Sequence, residues 1–197
     1  MGAIFLSASV PTTGRAPFDQ DAEPQIIQAA VSALATVVLG RRSLIWGGHP
    51  AITPMLWAAA QDLDVRYANS VHLFQSRFWK EEDFPEENKH FNNVTYVDEV
   101  DGDRDESLTK MRVEMLKSTN FEAAVFIGGM EGVFEEYALF ASLYPSAICL
   151  PLAVTGGAAR LLCRQLGYEV PPDIGPLDFV RLLHRELGLS PRQQREM

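Results

Sequence analysis

Cysteine is nearly missing from this 197-residue chain: Cys149 and Cys163 are the two it has. They lie in or beside apolar segments and form no Cys-x-x-Cys pair, which suits small core residues in a reducing compartment better than a metal or redox site. Histidine is scarce as well. His49, His72, His90 and His184 are scattered, none with a ligand-type partner three or four residues away, so neither a metal nor another cofactor is expected. No apolar run approaches the roughly 20 residues needed to span a bilayer. No basic segment precedes the first apolar stretch, and the expectation is a cytoplasmic protein without a membrane partner. Basic charge is in the minority, with 17 Lys and Arg against 26 Asp and Glu and a net charge of −9. That balance argues against a nucleic-acid surface and leaves small anions held by local donors. Repeats and low-complexity segments are absent too.

What is present is an alternation of short apolar runs with segments of helical period. Runs at 4–6, 43–46, 71–74, 94–97, 123–127 and 147–151 read as strands buried on both faces. Between and after them, helices are predicted over 21–39, 53–61, 108–119, 133–143, from 155 onward and over 176–187, with Ser107 and Thr155 as caps. The order predicts an α/β fold, a doubly wound parallel sheet with helices on both faces. Residues 1–187 are expected to form one domain, with a surface excursion at 80–93 and a polar, fraying tail at 188–197.

Three of the strand-to-helix junctions carry a glycine pair: Gly47-Gly48, Gly128-Gly129 and Gly156-Gly157. In a parallel sheet all such junctions lie at the carboxyl edge, where open α/β sheets hold ligands. Glycines there let a ligand approach the backbone, and the helix that follows points free N–H groups at one spot, a natural seat for phosphate. A Gly-Gly turn can equally be tight packing. The richest junction is the stretch Gly128, Gly129, Met130, Glu131, Gly132, Val133, with Glu136 in the helix beyond. Ser7 and Ser9 after the first strand offer hydroxyls, or form a turn. His49 could touch a ligand or make a structural hydrogen bond, and Arg77 follows the third strand within reach of a phosphate or ribose. The run Asp101, Asp103, Asp105 resembles the start of a calcium loop, but Glu106 stands where the turn glycine belongs and Arg112 where the bidentate glutamate belongs.

The segment 127–136 resembles the signature of the SLOG superfamily. This Rossmann-like group includes the lonely-guy (LOG) phosphoribohydrolases, DNA-processing proteins and sensing domains of some ion channels. The LOG signature, Pro-Gly-Gly-Gly-Tyr-Gly-Thr followed by two residues and Glu, fits here without a gap. Gly128, Gly129, Gly132 and Glu136 match, while Met130 stands for a glycine and Val133 for the threonine. Trp46, Gly47 and Gly48 correspond in order to a nucleotide-binding loop of the family, and segments 47–54 and 126–136 look closest to an uncharacterised bacterial branch. The resemblance implies a small-molecule nucleotide as partner, phosphate held by the central glycines and Arg112, and a homodimer or higher homo-oligomer with the aromatics Phe78, Trp79 and Phe84 at an interface. It also offers Glu136 and Arg112 as catalytic candidates, although Met111 occupies the first position of the family's Arg-Lys pair and leaves Arg112 chiefly a phosphate ligand. Three readings follow: a nucleotide or ADP-ribose-like sensor, a phosphoribohydrolase that cleaves a nucleoside 5′-monophosphate through Glu136, and a scaffold that has lost its ligand.

Overall fold

The computed structural model describes residues 2–196. Its strands are β1 (Ala3–Ser9), β2 (Leu44–Trp46), β3 (Val71–Ser76), β4 (Asn93–Val97), β5 (Phe121–Gly128) and β6 (Ile148–Pro151). They form one sheet in the order β4-β3-β2-β1-β5-β6, and every pairing is parallel. Six α-helices among the described residues cover it: α1 (Pro24–Val38), α2 (Thr53–Leu63), α3 (Arg104–Lys117), α4 (Glu131–Leu143), α5 (Gly157–Leu166) and α6 (Phe179–Glu186).

Alternate residues of the central strands feed two cores. Ile4 and Leu6 of β1 and Val125 of β5 pack beneath α1, α2 and α6; Phe5, Ala124 and Phe126 pack beneath α3, α4 and α5. Burial on both faces explains why these strands are apolar throughout rather than alternating. The chain first winds outward from β1 to β4, and α3 then carries it back across to β5 on the other side of β1. The winding direction therefore reverses between β1 and β5, the point at which open α/β sheets leave a crevice at their carboxyl edge. The expected doubly wound, Rossmann-like α/β architecture is the one observed.

Several boundaries differ from expectation. β1 does not stop at Leu6 but continues to Ser9, pairing Ser7 with Phe126 and Ser9 with Gly128. The serines are thus strand residues rather than turn formers. α3 begins three residues before Ser107, because Asp103 accepts hydrogen bonds from the amides of Asp105 and Glu106, both at 2.9 Å, and is the cap. Ser107 is buried, and its hydroxyl donates to Asp103 O instead. Thr155 does not cap α5 either: its Oγ1 accepts from Gly128 N at 2.8 Å and donates to Leu152 O. The tail is pinned rather than frayed. Arg195 donates to Thr36 O and Leu39 O, at 2.6 and 2.5 Å, satisfying carbonyls at the end of α1. The excursion after β3 contains two short 3-10 turns.

Beneath α4, the rings of Phe5, Phe121, Phe140 and Tyr144 form one cluster with centroid separations of 5.3–6.2 Å. Such pairs contribute about 0.5–1.5 kcal/mol each beyond area burial. The Tyr144 hydroxyl also donates towards Leu116 O and Thr119 O at the end of α3, at 2.7 and 2.8 Å. These contacts lock α4 against α3, which matters because facing side chains of the two helices meet at the sheet edge. No helix of the described residues is long and apolar enough to cross a membrane.

Candidate functional site

A cleft of about 630 Å³ lies at the carboxyl edge of β1, β2, β3 and β5. It gathers most of the residues singled out in the sequence: Ser7, Ser9, Gly47, Gly48, His49, Arg112, Met130, Glu131, Gly132, Val133 and Glu136 all line it. Three expected residues do not. Arg77 turns away, pairing with Asp98 at 3.2 Å and lying over the Tyr96 ring with 60 % of its side chain exposed. Gly128 and Gly129 do not line it: Gly128 is the last residue of β5, and the Gly129 amide is bonded to Ser9 O of β1.

Two of the expected donor amides are not free. Gly128 N donates to Thr155 Oγ1 at 2.8 Å and Gly129 N to Ser9 O at 2.8 Å, so both amides are consumed within the fold. Val133 N bonds back to Met130 O. The amides of Met130 and Gly132 have no acceptor among the described residues, and they stand at the start of α4, where the helix dipole favours an anion. The third glycine pair is packing: Gly157 lies against Gly129, with Ala158 N donating to Gly129 O at 2.9 Å.

The floor of the cleft holds a connected polar group. Ser7, 1 % exposed, donates its hydroxyl to Glu136 Oε2 at 2.5 Å. Arg112 Nε donates to Glu136 Oε1 at 3.4 Å, and its Nη1 to Glu135. Arg112 Nη2 has no acceptor among the described residues and lies 2.8 Å from where a Cβ on Gly132 would stand. A Cβ at Gly132 would push the guanidinium away from the helix. Burial pushes the Glu136 carboxyl above the ordinary glutamate range, while Arg112 and the Ser7 hydroxyl pull it back down. A desolvated carboxyl beside a cation and a hydroxyl suits proton transfer or the stabilisation of positive charge on a sugar.

The opposite wall is the β2–α2 turn. Gly48 has φ +68°, and a Cβ there would strike the Gln75 amide at 2.0 Å, so the turn needs glycine. Gln75, 3 % exposed, donates Nε2 to Gly48 O at 3.3 Å. His49 accepts from Ala51 N through Nδ1 at 3.2 Å, and burial holds its pKa below the ordinary histidine value, so the ring is neutral at physiological pH. The expected structural hydrogen bond and the expected position at the cleft are thus both present.

Sequence reasoning did not assign Arg15, Gln75, Trp79, Phe84 or Arg104 to the cleft, which all five line. Arg15 sits in the loop after β1, the same edge position that drew attention to Ser7 and Ser9, so edge position was the available signal. Trp79 and Phe84 were expected as exposed interface aromatics. They are half-buried, with Trp79 edge-on to Phe78 and Phe84 against Tyr96, and they form the outer wall. Among the described residues, no three His, Cys, Asp or Glu side chains are grouped so as to hold a metal ion.

The chain matches no curated protein and no solved structure. The model of the SLOG cluster3 family matches residues 17–187, which take in both glycine walls, Arg112 and Glu136. With that match covering most of its length and a doubly wound parallel sheet beneath it, the chain belongs to the SLOG cluster3 family.

Proposed function

We propose that the cleft binds a nucleotide or nucleotide-derived ligand, a nucleoside monophosphate or an ADP-ribose-like molecule, and that the protein acts as a sensor of it. The observation that carries this reading is the coincidence of three unused donors. Arg112 Nη2 and the amides of Met130 and Gly132 lie together at the start of α4, and the Arg112 side chain is only 12 % exposed. A phosphate takes such donors in charge-assisted hydrogen bonds, about twice as strong as neutral ones. Carboxylates on the floor suit ribose hydroxyls, and the aromatic outer wall suits a base. Family membership agrees with a nucleotide-related role. A homodimer remains part of this proposal, to be read from the molar mass in solution.

The test is thermal denaturation with AMP and with ADP-ribose. At a ligand concentration 100 times Kd, binding adds about 2.7 kcal/mol, which raises the melting temperature of a protein this size by roughly 5–10 °C. Arg112→Gln should abolish the rise. An unshifted melt with every nucleotide tried would remove the reading and leave the scaffold.

Glu136 specifically favours a second reading, hydrolysis of the N-glycosidic bond of a nucleoside 5′-monophosphate. Its raised pKa and its bonds to Ser7 and Arg112 suit a group that activates water or steadies an oxocarbenium ion. Free base released from AMP, and lost in Glu136→Gln, separates the enzyme from the sensor.

A further inference from the structure

The cleft's arginines are already occupied by carboxylates of the protein itself. Arg15 Nη2 donates to Glu131 Oε2 at 2.8 Å, and Arg112 Nη1 donates to Glu135. Glu131 and Glu135 are 55 % and 61 % exposed, and neither bonds to a further side chain among the described residues. They stand four residues apart on α4, so they project from one face about 6 Å apart. Each therefore has room to swing into solvent, while Arg112 is held by packing and by Glu136. Counting the whole lining, three arginines face five carboxylates.

A phosphate that reaches Arg112 Nη2 and the amides of Met130 and Gly132 arrives beside Glu135 on the adjacent guanidinium nitrogen. Two anions there repel, and Glu135 is the one free to leave. Resting on the reading of this cleft as a phosphate site, we infer that Glu131 and Glu135 are resident counter-anions that decide which phosphate ligand enters. One phosphate displaces Glu135 from Arg112. A second or third phosphate brings further negative charge into a cleft whose arginines are outnumbered and whose two exposed arginines, Arg15 and Arg104, are held by Glu131 and Asp105. Of the two ligand classes proposed for the cleft, the one selected is the nucleoside monophosphate, with di- and triphosphates, ADP-ribose-like molecules among them, turned away.

Calorimetric titration of AMP, ADP and ATP, in parallel with orthophosphate, pyrophosphate and tripolyphosphate, tests this on the wild type and on Glu135→Gln, Glu131→Gln and Glu114→Gln. Glu114 is exposed on α3 and does not line the cleft, so it controls for net charge. The wild type should bind AMP best, with affinity falling about threefold per added phosphate, the scale of exposed ion pairs. Glu135→Gln should tighten AMP about threefold and ADP and ATP by more, flattening the series; Glu131→Gln should help only ADP and ATP; Glu114→Gln should match the wild type. Wild-type preference for ATP, or a Glu135→Gln protein with a native melt and an unchanged or weaker series, overturns the inference while leaving nucleotide binding intact. Inorganic phosphates that follow the predicted order when no nucleotide binds would instead keep the gate and remove the nucleotide reading. Failure of both series to bind removes both.

Discussion

Glu136 is the residue at which burial and charge are set most directly against each other. Its side chain is 17 % exposed and loses hydration on folding, which raises its pKa, while Arg112 and Ser7 only partly compensate. A carboxyl with a raised folded pKa binds more protons in the folded than in the unfolded state. Its contribution to stability is therefore most favourable below the ordinary glutamate range and is lost as pH rises from there through the raised value. Glu136→Gln removes that titration and keeps the shape. The melting temperature of the wild type should consequently fall relative to that of Glu136→Gln as pH is raised from about 4 to about 8. A constant difference across the range would mean that Glu136 ionises as it does in water. Glu136 itself was legible in the sequence because its spacing from the glycines is fixed by one helical turn. Ser7 was legible only as a hydroxyl near the edge; that it donates to Glu136 from 129 residues away depends on β1 lying beside β5, which local pattern does not encode.

Strands and helices were readable because each has an uninterrupted period, but their ends were not, because the ends are set by side chains from elsewhere. Thr155 looked like a cap and instead satisfies the Gly128 amide; Asp103 caps α3 four residues before the expected serine. The three glycine pairs likewise look alike in sequence and differ in role. Gly48 opens onto the cleft, whereas Gly156 and Gly157 are pressed between β5 and the loop after β1. Gly157 N donates to Asp21 Oδ1 at 2.8 Å, and Arg160 pairs with Asp21 at the same distance, fastening that loop to α5. Gly156 has φ +72°, and a Cβ there would lie 2.2 Å from Asp21 O, a backbone atom that has no flexible end to yield. Gly156→Ala should cost about 3 kcal/mol, combining left-handed backbone strain with the clash, and urea denaturation should show a lower midpoint at an unchanged slope. A stability within about 0.5 kcal/mol of the wild type would mean that the loop moves freely and that this junction, too, is open to a ligand.

The strand order is the feature of the whole molecule that no single segment carried. Parallel pairing in the order β4-β3-β2-β1-β5-β6 brings the β2–α2 turn and the start of α4 to the same edge, and it puts Arg112, from a helix that follows the outermost strand, against Glu136. Charge is the other whole-molecule property, and it works against the site's own donors. The protein carries a net charge of −9, and the cleft is lined by more carboxylates than arginines. On the proposed reading, an anionic ligand would approach through a repulsive long-range field and gain attraction only on contact with Arg112 and the free amides. Screening shortens from about 30 Å to about 8 Å between roughly 0.01 M and 0.15 M ionic strength, which removes the long-range repulsion before it removes the short contacts. In stopped-flow experiments with AMP the association rate constant should accordingly rise over that interval, by roughly twofold, and the dissociation rate constant should change less. A surface built to attract phosphate from a distance would give the opposite sign, an association rate that falls with salt, and that outcome would move the anion seat out of this acidic cleft to a basic surface elsewhere on the molecule.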